Sequence, residues 1–304
     1  MGAGLKNLVR LAEFCEHGWL PPGARVVELG TQELYASEYW DSLRKVIDVF
    51  AKKNPAVRSG ASFSEAELKA LADRGFLSAT LIACGLEYQA LDIFEAPYTR
   101  LFDLNTDRPD ESLRGRFDLV TNFGTTEHLL GQQQAFTTMH DLAKPGGLLY
   151  HELPLSGYHQ HGYFSYNPLL FREIARANAY EVVAITLSKN DHLTPTSQHM
   201  RDSGFSESGY FDRGIECILR KTVDAPFRVP LETSTSLDVS CNFMPGVYDQ
   251  AGGTNAIGSR NLSYDLSGLP TEALVRETAL RLGHRGPRWL GRKIKKIAKS
   301  VVRS

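Results

Sequence analysis

The sequence predicts a doubly wound α/β domain with a mostly parallel sheet of seven strands, and three observations carry the prediction. Short apolar runs alternate with helical patterns, the rhythm that produces parallel strands joined by crossover helices. The first run, Ala24-Arg-Val-Val-Glu-Leu-Gly30, ends in a glycine, where a tight turn is needed. The next two runs each end in an aspartate, Asp92 and Asp103, so acidic groups gather where open α/β sheets bind ligands, beyond the carboxyl ends of the strands.

The elements follow in order. Residues 1–20 form an N-terminal helical segment ahead of the turn Pro21-Pro-Gly23 and the first strand. Residues 36–53 read as a helix with Tyr39, Leu43, Val46, Ile47 and Phe50 on one face, stopping near Asn54-Pro55. Ser64 is an N-cap, followed by Glu65 and Glu67 in the first turn of a helix that runs to about Asp73. A short helix after Gly75 reaches Ile82. Tyr88–Asp92 and Thr99–Asp103 are the second and third strands, and Phe117–Asn122 is the fourth. A helix from about Thr126 to Leu142 closes at Lys144-Pro-Gly-Gly147. Leu148–Leu153 is the fifth strand, and residues 154–168 are a long loop rich in Gly, Tyr and His before a helix over 169–178. Glu181–Leu187 and Gly214–Arg220 are the sixth and seventh strands. The 26 residues between them contain no strong helix, so the last strand is expected to pair antiparallel. The main domain is thus 21–222, followed by an irregular extension over 223–283 and a basic amphipathic tail over 284–304.

With 42% apolar and 23% charged residues, the composition is that of a globular chain with a sizeable core. The first residues lack a signal peptide's apolar block, and no run is long and apolar enough for a membrane span, so a cytoplasmic protein is expected. Cys15, Cys84, Cys217 and Cys241 are scattered without a CxxC pair, which argues against a disulfide framework or a cysteine zinc site. The net charge of −1 hides an asymmetry: the last 24 residues carry nine Lys or Arg and no acid, leaving 25 basic against 35 acidic residues before them. An acidic body argues against nucleic-acid binding. In the tail, Leu290, Ile294, Ile297 and Val301 recur at helical spacing among Arg292, Lys293, Lys295, Lys296 and Lys299. Such a helix suits an anionic membrane surface, making residues 285–304 a candidate peripheral contact at its inner face.

An acid at the end of the second strand suits a ribose, whose hydroxyls donate to one carboxylate, and a side chain beside the third suits an adenine amino group. The competing reading is that Asp92 and Asp103 cap turns. The segments Val26-Val-Glu-Leu-Gly30, Ala90-Leu-Asp92, Leu101-Phe-Asp103, Gly115-Arg-Phe-Asp-Leu-Val-Thr-Asn122, Thr126-Glu-His-Leu129 and Leu142-Ala-Lys-Pro-Gly-Gly-Leu148 together resemble the class I S-adenosylmethionine-dependent methyltransferases, over roughly residues 20–222. The resemblance implies a Rossmann-like methyltransferase fold with S-adenosylmethionine as cofactor. It implies that Glu28 and Gly30 contact the cofactor's amino-acid part, with Gln32 in the same loop, that Asp92 holds the ribose, and that Asp103 lies near adenine. Asn122, Phe123 and Gly124 would line the methyl-transfer region. One departure stands out: further glycines are usual two and four residues beyond the first, and here those places hold Gln32 and Leu34.

Methyl transfer to a hydroxyl or amine needs a near-linear approach and a nearby proton acceptor. The 154–168 loop leaves the carboxyl end of the fifth strand. His161 is the first candidate base, with His128, His151 and His159 as others; Tyr158, Tyr163 and Tyr166 are candidate substrate walls. His151-Glu152, His159-x-His161 and Asp191-His192 offer metal donors, but their spacing selects no site and no metal is predicted. The expected function is methylation of an oxygen or nitrogen on a small-molecule or glycan-type acceptor. The rivals are a scaffold protein on the same fold that has lost the cofactor, and a dehydrogenase, disfavoured because no GxGxxG follows the first strand.

Overall fold

In the computed structural model, the described residues are 2–158, 161–189 and 212–232, and Met1–Glu232 form one compact unit. The basic tail, most of the 223–283 extension, His159 and His192 lie outside the described residues. No helix among the described residues is long and apolar enough to cross a membrane.

Among the described residues there are ten strands and six α-helices. The strands are β1 (Ala3–Gly4), β2 (Arg25–Leu29), β3 (Glu33–Tyr35), β4 (Asp73–Phe76), β5 (Glu87–Asp92), β6 (Thr99–Leu101), β7 (Phe117–Phe123), β8 (Ala143–Ser156), β9 (Glu181–Lys189) and β10 (Arg213–Arg220). The helices are α1 (Leu5–Glu16), α2 (Trp40–Lys53), α3 (Glu65–Ala72), α4 (Leu77–Ala83), α5 (Gln132–Leu142) and α6 (Pro168–Ala177). Seven strands form the main sheet in the order β6-β5-β2-β7-β8-β10-β9, parallel except that β10 runs antiparallel to both its neighbours. The order reverses at β2 and β7, which places the ligand crevice beyond their carboxyl ends.

Side-chain parity along the strands divides the core. On one face Val26, Leu119, Leu148 and Tyr150 pack against Leu8, Leu11 and Phe14 of α1 and Leu43, Ile47 and Phe50 of α2. On the other, Val27, Leu29, Val120, Leu149 and Leu153 pack against Phe136 and Met139 of α5 and Phe171 and Ile174 of α6. Ser64 caps α3 as expected, its hydroxyl accepting from the Glu67 amide while Glu67 returns a bond to the Ser64 amide.

Three local expectations are corrected. Tyr39 is exposed in a 3-10 turn that precedes α2, rather than lying on its buried face. The helix expected from Thr126 begins at Gln132, because residues 126–128 close a separate 3-10 turn. The Gln132 side-chain amide donates 2.6 Å bonds to the Thr126 and Leu129 carbonyls, which a continuous helix would have used internally. The Lys144-Pro-Gly-Gly147 segment lies within β8, its irregularity absorbed by Gly146 at φ +85°. The sequence also gave no sign of a second sheet, β1-β3-β4, in which the N-terminal residues pair in parallel with Glu33–Tyr35 just beyond the end of β2. Gly2 permits this approach: a Cβ there would lie 2.2 Å from the Tyr35 ring.

Candidate active site

At the end of β2 the chain turns at Gly30, which has φ +71° and whose amide donates to the Leu91 carbonyl. A Cβ at Gly30 would lie 2.6 Å from Thr125 Oγ1, so the turn after β7 packs directly on its backbone. Gln32 and Leu34 do not fill the crevice with bulk. Leu34 is wholly buried in the core through β3, and the Gln32 side chain donates to Thr125 Oγ1 at 3.1 Å. Strand pairing with β1 and β4 has taken over the role of a glycine-rich turn.

Glu28 is fully buried. One carboxylate oxygen accepts from the Tyr88 hydroxyl and from the Gln32 amide, and Oε1 has no hydrogen-bond partner. Burial pushes this carboxyl up to about 8, against the pull of the two hydrogen bonds.

Asp92, half-buried at the end of β5, ties the first loop to the second strand. It accepts from the Thr31 amide at 2.7 Å and from the Phe94 amide at 3.2 Å. A carboxylate offers about four lone-pair positions, so a diol can share it with these two amides. Asp103 lies two residues beyond β6 rather than at its end. It accepts from the Asn105 amide at 2.8 Å, the main cause holding its carboxyl below the usual range. The turn-capping reading is thus realised for Asp103, and Asp92 makes the same kind of bond to the amide two residues on.

Near the carboxyl end of β7, the Asn122 amide is spent internally: it donates 2.9 Å to Thr126 Oγ1, and its carbonyl accepts from the Thr126 amide. Gly124 (φ +75°) bonds the Glu152 carbonyl across to β8. Phe123 stacks edge-to-face on Tyr150 and lines a cavity of about 310 Å³, together with Lys6, Asn7, Tyr35, Glu152 and Tyr158. A larger cavity of about 410 Å³ lies at Arg25, Glu87 and Phe117, the amino ends of three strands, away from every predicted site residue. The smaller one lies at Phe123, the carboxyl end of β7, where open α/β sheets bind ligands, and is the candidate acceptor cavity; Glu28, Asp92 and Asp103 are not among its lining residues.

The candidate bases separate clearly. His151 is a core residue, 1% exposed, packed on Phe136 and Phe171 and held neutral by burial, which pulls it down to about 3. Tyr166 is buried too, its hydroxyl donating to Gln132 Oε1 and paired with the Thr126 hydroxyl at 3.0 Å, and Tyr163 is exposed. His128 and His161 come together, ring centroids 4.9 Å apart, with the Tyr158 ring 5.7 Å from His161. Tyr158 holds a left-handed φ of +48°, fixed by its amide donating to Asp212.

Between the two histidines stands a residue the sequence reading passed over. Glu127 is wholly buried, its Oε1 3.8 Å from His161 Nε2 and 3.9 Å from His128 Nε2. Burial pushes its carboxyl up to about 7 and lowers both histidines. The available signal was an acid and a histidine side by side at a strand end, which in isolation reads as the first turn of a helix.

The sheet order and its switch point define a doubly wound α/β protein, a class that binds its ligands beyond the carboxyl ends of the strands. Residues 6–186 match the model of a family described as a methyltransferase domain, so the chain belongs to that family, the class I S-adenosylmethionine-dependent methyltransferases, and S-adenosylmethionine is its cofactor. No curated protein matches the sequence. Among solved structures, the chain is similar to the 1,6-didemethyltoxoflavin-N1-methyltransferase of Burkholderia thailandensis with bound S-adenosylhomocysteine. That match has 13% identity, 71% of this chain and 79% of that one covered, and a TM-score of 0.39. It is also similar to the phosphoethanolamine N-methyltransferase 2 of Haemonchus contortus, with 14% identity, 72% and 52% covered, and a TM-score of 0.41. Two groups fit the cofactor: Glu28 Oε1 is a buried carboxyl oxygen without a hydrogen-bond partner, and Asp92 keeps acceptor capacity for a diol.

Proposed function

We propose that the protein methylates a hydroxyl or amine of a small-molecule or sugar-containing acceptor seated in the 310 Å³ cavity beside Phe123 and Tyr158. The observation that carries this reading is the lining of that cavity. Phe123, Tyr35 and Tyr158 line it together with Lys6, Asn7 and Glu152, a mixture suited to a ring bearing hydroxyl or amino groups.

S-adenosylmethionine supplies an electrophilic sulfonium methyl group. In this reading Glu28, Gly30 and Gln32 face its amino-acid part, Asp92 its ribose and Asp103 its adenine, while Asn122 to Gly124 border the methyl. Bound there, the cofactor would give up this methyl to an acceptor lone pair, with the carbon–sulfur electron pair left on sulfur. Tyr158 orients the acceptor, and its proton leaves toward His161 and His128, whose imidazoles burial keeps neutral at pH 7. The test is S-adenosylhomocysteine release from the full chain with a panel of hydroxylated and aminated sugars and small aromatic alcohols. The reading expects release with at least one acceptor, suppressed by Tyr158→Ala. Release that needs no added acceptor, or is indifferent to Tyr158→Ala, contradicts it.

A further inference from the structure

We propose that Glu127, His128 and His161 bind a divalent transition-metal cation of the zinc class. The turn after β7 supplies the first two residues and the loop after β8 the third. Their ligand atoms lie within 4.8 Å of one another. Backbone geometry fixes the arrangement: the Tyr163 and Phe164 amides donate to the Glu127 carbonyl at 2.7 and 3.2 Å. Gly162 allows that contact, since a Cβ there would lie 2.9 Å from Glu127 Cγ.

The uncommitted donors point to a ligand. Both Glu127 carboxylate oxygens and His161 Nε2 are buried without a hydrogen-bond partner. A buried carboxylate with no partner is costly, whereas a cation at this point satisfies all three groups at once. Metal–ligand distances of about 2.0–2.2 Å hold neighbouring donors roughly 3.0–3.5 Å apart, so occupancy contracts the two Glu127–histidine edges, now 3.8 and 3.9 Å, by under about an ångström and draws the histidines together as well. Two imidazoles and one carboxylate match zinc, iron or cobalt, whereas magnesium and calcium prefer oxygen-only shells. Three protein ligands leave a coordination position open, and the exposed His128 puts the cation within reach of water. With the cation bound the imidazoles are ligands in place of proton acceptors, and a coordinated acceptor hydroxyl would release its proton to solvent water.

The inference goes beyond the methyl-transfer reading, and its test needs neither cofactor nor acceptor. The full chain, stripped with a chelator, is titrated with Zn(II) by calorimetry and with Co(II) by visible absorption. One equivalent should bind, with ligand-field bands for Co(II). Glu127→Gln and His161→Asn should each weaken binding at least tenfold in protein whose circular dichroism is unchanged, while His17→Ala leaves it intact. His128→Gln, at an exposed position, gives the same readout should either buried variant fail to fold. Absence of a stoichiometric site, or a site unaffected by these substitutions, overturns the proposal.

Discussion

Replacing Glu28 by glutamine separates the charge of this buried group from its shape. The wild-type carboxyl is held at about 8 in the folded protein and titrates at about 4.3 in the unfolded chain. Between these values the folded state keeps a proton that the unfolded state has released. Stability therefore falls as pH rises, by about 1.4 kcal/mol per unit, and levels off above the folded value. From pH 5 to pH 7 that is a loss of roughly 2–3 kcal/mol traceable to one side chain. Glutamine keeps an acceptor for Tyr88 and the Gln32 amide but carries no proton linkage. Urea unfolding of both proteins at pH 5, 6 and 7 isolates the effect, since the other carboxylates cancel in the difference. The variant should gain on wild type by about 1 kcal/mol or more per pH unit. A difference independent of pH would refute the argument that burial dominates at Glu28.

Two further outcomes follow from the crevice. Gly30→Ala forces a left-handed φ on a Cβ that would sit 2.6 Å from Thr125 Oγ1, and displaces the Thr125 bond to the Leu29 carbonyl. It should cost about 2–3 kcal/mol in chemical denaturation, from strain plus one lost hydrogen bond. Asp92→Asn removes the charge that a ribose diol would meet. Calorimetry should show cofactor affinity weakened by about 1.5–3 kcal/mol, and unchanged affinity in folded protein would remove the ribose role.

Much of this architecture is legible in the sequence because it is written in apolar alternation. Ala24–Gly30, Tyr88–Asp92, Phe117–Asn122 and the final strand each bury apolar side chains at regular spacing, which local pattern reveals. Strands β3 and β4 escape it: Asp73-Arg-Gly-Phe76 is polar and exposed, and becomes a strand only because Glu33–Tyr35 lies beside it. Parity alone could have removed His151 from the candidate bases, since on β8 it shares a face with Leu149 and Leu153, both core residues. The acid–histidine pair Glu127-His128 is visible in the sequence, but the burial that gives Glu127 its chemistry is not. Its burial is decided by the return of residues 161–164 from the next loop, a tertiary contact that no local pattern encodes. The departure at Gln32 and Leu34 likewise reads as a defect in the sequence, and in the structure marks a loop recast as a strand.

The most direct test of the account is isothermal titration of the full chain with S-adenosylmethionine and, separately, with S-adenosylhomocysteine. The account predicts saturable one-to-one binding of both, weakened in Asp92→Asn. Absence of binding to either, in protein shown to be folded, would contradict it.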